Sequence, residues 1–358
     1  MSAHEIVLLV MAVFALLGAA DRILGNRWGL GKEFEEGILA MGSLAMAMLG
    51  IISLAPVLAA LLRPVVVPLY AFLGADPAMF AGTILANDMG AGSLALELTE
   101  DPRAAALGGV ITGAMLGATV VFTIPVAMGI LREEDRPAMA RGILCGIVTI
   151  PIGVLVGGLT AGFSLGMVLR NLVPIVMIGA LIAFGLWRSE QVMIRGFAVF
   201  GKGVTALITA ALAAAIVEKL TGVSLIPGLA PLEEGFQTVG SIAIVLAGAF
   251  PLVYVLTKLL RKPLTALGKV LGINDAATAG LIASMANSIA AFGMVKDMDP
   301  RGKVVNIAFA VSAAFVFGDH LGFTAGFAPA YLPAVILGKL AGGISAVAVA
   351  LWLTRKEI

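Results

Sequence analysis

Apolar runs long enough to cross a bilayer recur along the whole chain, with short polar loops between them. A helix needs about 20 apolar residues to span the hydrocarbon core. The runs place spans at about 5–21, 37–62, 104–130 and 139–160, then 166–187, then 203–219, 235–257, 303–327 and 332–354. They are continuous, not alternating, which fits helices and argues against an outer-membrane barrel. Two stretches break the pattern, about 65–98 and 263–297. Each is rich in Gly and carries Asn, Asp or Ser in its middle. A length of roughly 34 residues suits a hairpin of two half-helices. The expected fold is all-α: a polytopic membrane helix bundle of about nine full spans plus two re-entrant or broken hairpins.

The same pattern recurs at an offset of 198 residues. Glu35-Glu36-Gly37 falls on Glu233-Glu234-Gly235, Leu61-Leu62-Arg63 on Leu259-Leu260-Arg261, and Asp101-Pro102-Arg103 on Asp299-Pro300-Arg301. Roughly a third of positions 35 to 103 are identical to their mates. Shared bias towards Ala, Gly and Leu does not account for matched tripeptides that contain charges. Residues 1–165 and 203–358 are therefore read as two copies of one unit, with a connecting span and loop over 166–202, a common plan in transporters.

Lys and Arg in short loops mark the cytoplasmic side. Loop 22–36 carries Arg22, Arg27 and Lys32, and its mate 220–234 carries none. Loop 131–141 carries Arg132, Arg136 and Arg141, and its mate 328–333 carries none. Conversely Lys258, Arg261, Lys262 and Lys269 have only Arg63 as a counterpart. The basic loops swap sides between copies, which predicts an inverted-topology repeat. Each interrupted stretch then enters and leaves on one side. The N-terminus lies outside; loop 188–202 and the C-terminal Arg355-Lys356 lie in the cytoplasm. The two hairpin tips are expected to meet near the midplane.

Composition agrees. Of all residues 60% are hydrophobic and 13% charged, against about 25% charged in a soluble domain. A net charge of +1 gives no reason to expect nucleic acid. The single Cys145 rules out an internal disulfide and offers no metal cluster. Residues 5–18 lack a basic leader and a cleavage site, and read as a retained first helix.

Candidate chemistry lies where a membrane protein should carry no charge. An ionisable group at bilayer depth costs roughly 2.5 to 3.5 kcal/mol even on the lenient insertion scale, so it tends to face a partner, a cavity or a ligand. Asp319-His320 sits in AFAVSAAFVFGDHLGFTAGFAPA, and Asp88 in MFAGTILANDMGAGSLAL. Asn87-Asp88 marks one hairpin tip and Asn287-Ser288 the other. Asp88 doubles as a candidate helix cap, and Asp319-His320 as interhelical glue. The mates of Gly318-Asp319-His320 are Val120-Val121-Phe122, so this charge is no part of the shared scaffold. The candidate substrate-binding residues are Asn87, Asp88, Ser284, Asn287, Ser288, Asp319 and His320. Thr119, Thr123 and Asn306 are candidate cavity lining, although a Thr within a span usually bonds back to its own helix. No metal site or cofactor is expected. An intramembrane enzyme is the competing class, but no metal-ligand spacing, nucleophile motif or paired-Asp signature supports it. Within transport, the alternative is an ion-coupled symporter of another small polar solute such as a nucleoside or amino acid.

The segments FEEGILAMGSLAMAMLG, GADPAMFAGTILANDMG, IVTIPIG, RGKVVNIAFAVSAAFVFGDHLGF and LGKLAGG resemble the bacterial ethanolamine permeases of the ethanolamine-utilisation operons. The resemblance covers nearly the whole chain, and the run from MDPRGKVVN to FGDHLGF is its most specific part. It implies uptake of ethanolamine across the cell inner membrane to a cytosolic lyase, with the lipid bilayer as surroundings. It assigns no binding residues. The substrate would be a small cation with a hydroxyl, and a carboxylate near an Asn-lined tip suits an ammonium. An aromatic cage for choline would need more than three Trp and three Tyr. By analogy with other paired-hairpin transporters, a homo-oligomer is also expected.

Overall fold

The computed structural model describes residues 3–355. Among these residues every regular element is helical. Seven helices are long and apolar enough to cross a membrane by length and composition. The chain is a multi-pass membrane bundle.

The first part of the chain holds α1 (Ala3–Ile23) and α2 (Leu30–Phe72), then the short α3 (Ala78–Ile84) and α4 (Ala91–Leu98). Next come α5 (Pro102–Ile130), α6 (Arg136–Ile147) and α7 (Ile150–Thr160). The long α8 (Leu165–Thr221) leads to α9 (Leu232–Leu271), α10 (Asp275–Ala286) and α11 (Ser288–Met294). The chain closes with α12 (Pro300–Ala313), α13 (Asp319–Phe327) and α14 (Leu332–Leu353).

Three boundaries differ from the hydropathy reading. The span expected to end at 62 continues to Phe72, through Pro64 and Pro68. Membrane helices tolerate internal Pro because neighbours satisfy the freed backbone groups, and the apolar run itself continues through Val65-Val66-Val67. The expected loop 188–202 is helical; α8 merely kinks at Ser189 (φ −156°, ψ 65°). Its charged residues suggested a loop, but Ile194 is buried and Gly201 packs against Pro125. The expected unbroken span 303–327 is the largest correction. It is cut between Ala313 and Asp319. Arg261, Lys262 and Lys356, used above for orientation, lie outside the described side chains.

The two hairpins are latched at their mouths. Thr99 Oγ1 donates to Asp76 Oδ2 at 2.9 Å, so the chain enters α3 and leaves α4 at one place. In the second hairpin Asn274 N donates to Asp299 Oδ1 at 2.8 Å, and Asn274 Nδ2 donates to the Asp297 carbonyl at 2.9 Å. Asn274 and Asp297 are the 198-residue mates of Asp76 and Thr99. Packing repeats the same way. A Cβ on Gly82 would lie 1.9 Å from the Gly108 carbonyl oxygen, and a Cβ on its mate Gly280 would lie 2.4 Å from Oδ1 of Asn306, the mate of Gly108. Gly50 abuts the Ile208 backbone, and its mate Gly248 abuts the Met11 backbone. α2 thus packs on the C-terminal arm of α8, while α9 packs on α1.

Candidate binding site

Two breaks in helical structure build the site. The first is the tip between α3 and α4, where a short 3-10 turn, Asn87–Met89, carries Asp88. Gly90 ends the turn at φ 92°, a conformation that costs a side chain dearly, and a Cβ there would strike Ile51. The second is the gap between α12 and α13. Phe315 takes φ 60°, uncommon for a bulky residue. The gap is held open by the tip of the second hairpin. Phe315 N donates to the Ser284 carbonyl at 3.0 Å, and Phe317 N donates to the Met285 carbonyl at 2.9 Å. A Cβ on Gly318 would lie 2.1 Å from the Ala286 carbonyl oxygen, so only Gly fits there. The hairpin tips are therefore joined through residues 315–320, which lie between them.

Asp319 and His320 open α13. His320 is buried, and its ring packs 5.3 Å from the Phe315 ring centroid. Its Nε2 stands 3.7 Å from Asp88 Oδ1. On the other face Lys339 Nζ lies 3.0 Å from His320 Nδ1 and donates to the Ala114 carbonyl at 2.5 Å. Ala114 belongs to a π-wound stretch of α5, Ala106–Gly117; such stretches are frequent at functional sites.

Asp88 and Asp319 share one cavity of about 750 Å³, within the size range of small-molecule sites. Ser43, Phe122, Pro125, Lys202, Thr205 and Thr209 are among its walls. Asp319 also borders a second cavity of about 380 Å³, with Asn287, Glu33, Glu36, Tyr254 and Lys258. This one carboxylate lies between the two spaces.

The other candidates separate. Thr119 Oγ1 donates to the Met115 carbonyl at 2.7 Å and the Val311 carbonyl at 3.0 Å, tying α5 to α12. Asn306 Nδ2 donates to the carbonyls of Ala277 and Gly302, both at 2.9 Å, and holds the second hairpin to α12. Ser284 Oγ bonds back to the Leu281 carbonyl. Thr123 is buried, one residue beyond the cavity wall at Phe122. Asn287 caps α11 by accepting from Ile289 N at 2.8 Å, and Ser288 is fully buried beside it. Asn87 is fully buried, and neither end of its amide finds a partner among the described residues.

Sequence reasoning missed Lys339. It lies in the apolar α14 and is 1% exposed. A lone Lys eight residues into a 22-residue apolar helix is the signal that could have found it.

A family model described as ethanolamine utilisation protein, EutH, matches residues 3–353. A relative from Listeria monocytogenes, named probable ethanolamine permease EutH, is 57% identical over 356 residues, covering 99% of this chain and 95% of that protein. The uncharacterized protein YxeR of Bacillus subtilis is 54% identical, covering 100% of this chain and 96% of its own length. The probable ethanolamine permease EutH of Escherichia coli is 47% identical, covering 100% and 97%. No solved structure matches.

Proposed function

The chain belongs to the EutH family of ethanolamine utilisation proteins, and on that premise we propose that it carries ethanolamine into the cell across the bacterial cytoplasmic membrane. Ethanolamine is a small ammonium near neutral pH with one hydroxyl. The observation that carries the reading is the pair Asp88 and Asp319 on one cavity, brought together from positions 231 residues apart in the chain. A carboxylate at bilayer depth attracts a cation that sheds its water. Asp88 and Asp319 bind the ammonium, and His320, with Nε2 3.7 Å from Asp88 Oδ1, stands behind the first of them. Asn287 caps the second tip and borders the smaller cavity, while Asn87, its amide unpartnered among the described residues, lies next to Asp88 at the first. Phe122 is the one aromatic ring on the larger cavity among the described residues, so a quaternary ammonium finds no cage there.

The mechanism we propose is alternating access. The two copies, 1–165 and 203–358, are inverted repeats, and the N-terminus lies outside. Reciprocal packing at Gly50 and Gly248 supports a two-fold relation between them, as in an isologous interface where i meets j and j meets i. The site lies at their joint. Rocking of one copy against the other opens first the one cavity and then the other, and Asp319, which borders both, stays with the substrate throughout.

The test is uptake of radiolabelled ethanolamine into proteoliposomes under imposed proton or sodium gradients. Saturable uptake by the wild type, lost in folded Asp88→Asn and Asp319→Asn variants, supports the reading. Dependence on one gradient names the coupling ion. Unimpaired uptake by both variants would make the carboxylates bundle glue. A wild type that carries no ethanolamine ends the reading and turns the test to nucleosides and amino acids.

A further inference from the structure

We propose that Lys339 is a positioning residue of this site. By donating to His320 Nδ1 it fixes the imidazole with its proton on Nε2, so that a donor and not an acceptor faces Asp88.

The argument is a count of donors and acceptors. An ammonium offers three donors and no acceptor. Two of those donors meet the Ala114 carbonyl oxygen and His320 Nδ1. A neutral imidazole has one protonated nitrogen and one acceptor. With Nδ1 accepting, Nε2 carries the hydrogen. Nε2 faces Asp88 Oδ1 at 3.7 Å, an oxygen that is buried and has no hydrogen-bond partner among the described residues. The opposite tautomer would set N–H against ammonium at one end and a bare nitrogen against a carboxylate at the other. An imidazolium would set N–H against ammonium as well. The three side chains therefore run one way, from Lys339 through His320 to Asp88.

The charge of Lys339 has its own partners. Helix α7, on which α14 packs, carries no charged residue. The acidic groups of the cluster are Asp88 and Asp319. The consequence is selective. An Nε2–H aimed at Asp88 turns the positive end of its dipole towards that carboxyl oxygen, 3.7 Å away. The second oxygen of Asp88 is left for the substrate ammonium. The residue does this from α14, and is not itself among the walls of the larger cavity.

The transport reading enters only the second arm of the test. The first arm is nitrogen-15 NMR of histidine-labelled full-length protein. The chain has two histidines, and a His4→Gln variant assigns the signals. His320 is expected as the pure Nε2–H tautomer in the wild type. Lys339→Met, which removes the donor, is expected to lose that single tautomer. Lys339→Gln, which keeps an amide donor without the charge, is expected to retain it. The second arm is the KM for ethanolamine. A rise of about ten-fold or more is expected in Lys339→Met, with Lys339→Gln much closer to wild type. An Nδ1–H signal in the wild type overturns the proposal, and needs no variant to fold. So does an unchanged tautomer in Lys339→Met, or Lys339→Gln failing like Lys339→Met in both arms. A wild type that shows the Nε2–H tautomer and carries no ethanolamine sinks the transport reading and leaves the positioning role of Lys339 standing.

Discussion

His320 Nε2 stands 3.7 Å from Asp88 Oδ1, and at that point the start of α13, just past the helix break, meets the tip between α3 and α4. Residues that share a site couple, typically by about 0.5 to 3 kcal/mol in a double-mutant cycle. Asp88→Asn and His320→Gln are each expected to raise the KM for ethanolamine. The double variant is expected to cost less than the two singles combined. Strict additivity would show that the two side chains do not act together.

The cavity itself can be probed by thiol labelling. The native Cys145 is buried, so the background is low. A cysteine at Thr205 is expected to react with a cationic thiosulfonate faster than with an anionic one, because Asp88 and Asp319 line the same cavity. Ethanolamine is expected to slow the cationic reaction. Equal rates for both reagents would show that the carboxylates set no field there.

Close backbone packing makes a sharp stability test. A Cβ at Gly82 meets the Gly108 carbonyl oxygen at 1.9 Å. Both atoms belong to the packed backbones, so Gly82→Ala is expected to cost about 1 to 3 kcal/mol. Gly42 has nothing within 4 Å and lies inside α2. Gly42→Ala is expected to be neutral or to stabilise by about 0.5 to 1 kcal/mol. Thermal unfolding in one detergent compares the two.

Lys303 Nζ reaches Asp135 Oδ1 at 2.5 Å and ties α12 to the turn before α6. Asp135 is 2% exposed. Removing one partner of a buried pair strands the other charge, at about 3 to 5 kcal/mol. Lys303 keeps some water contact, so Lys303→Met is expected near the lower end. Lys303→Met with Asp135→Leu is expected to recover most of the loss. If the double variant melts no higher than the single one, the pair has a role beyond mutual charge.

Asp101 gives the acid dependence. Arg103 donates to it from Nε at 3.0 Å, Nη2 at 2.9 Å and the backbone N at 2.9 Å. The Arg103 side chain chiefly holds the Asp101 carboxyl below its ordinary value of 3.8. A carboxyl depressed in the folded state adds stability that is full above the unfolded value and lost as pH falls through the folded one. Asp101→Asn is expected to be the less stable protein at neutral pH, by a small margin because the pair is largely exposed. The two proteins are expected to converge in acid below the ordinary value. A gap that stays constant to low pH would rule out the ionised carboxylate as its source.

Hydropathy alone determined that this is a membrane helix bundle, because a bilayer admits few solutions for long apolar runs. It also marked both interrupted stretches and placed Asp88 and Asp319 as charges out of place. These were legible because charge in an apolar run is a local fact. The matched tripeptides were local too, and their offset of 198 recurs in the hairpin latches. The break between Ala313 and Asp319 was not legible. AVSAAFVF continues the apolar run and has no Pro or Gly before Gly318. Its backbone leaves the helix because Ser284 and Met285 carbonyls accept from Phe315 and Phe317, and those carbonyls arrive from another hairpin. Lys339 was itself legible as a lone charge in an apolar run; its partners were not. Its neighbours Ala114 and His320 are 225 and 19 positions away, and only the folded bundle sets them around one ammonium. Sequence reveals which groups are costly in lipid; tertiary structure decides which of them meet, because a hydrogen bond acts across about 3 Å of space, however far apart its partners lie along the chain.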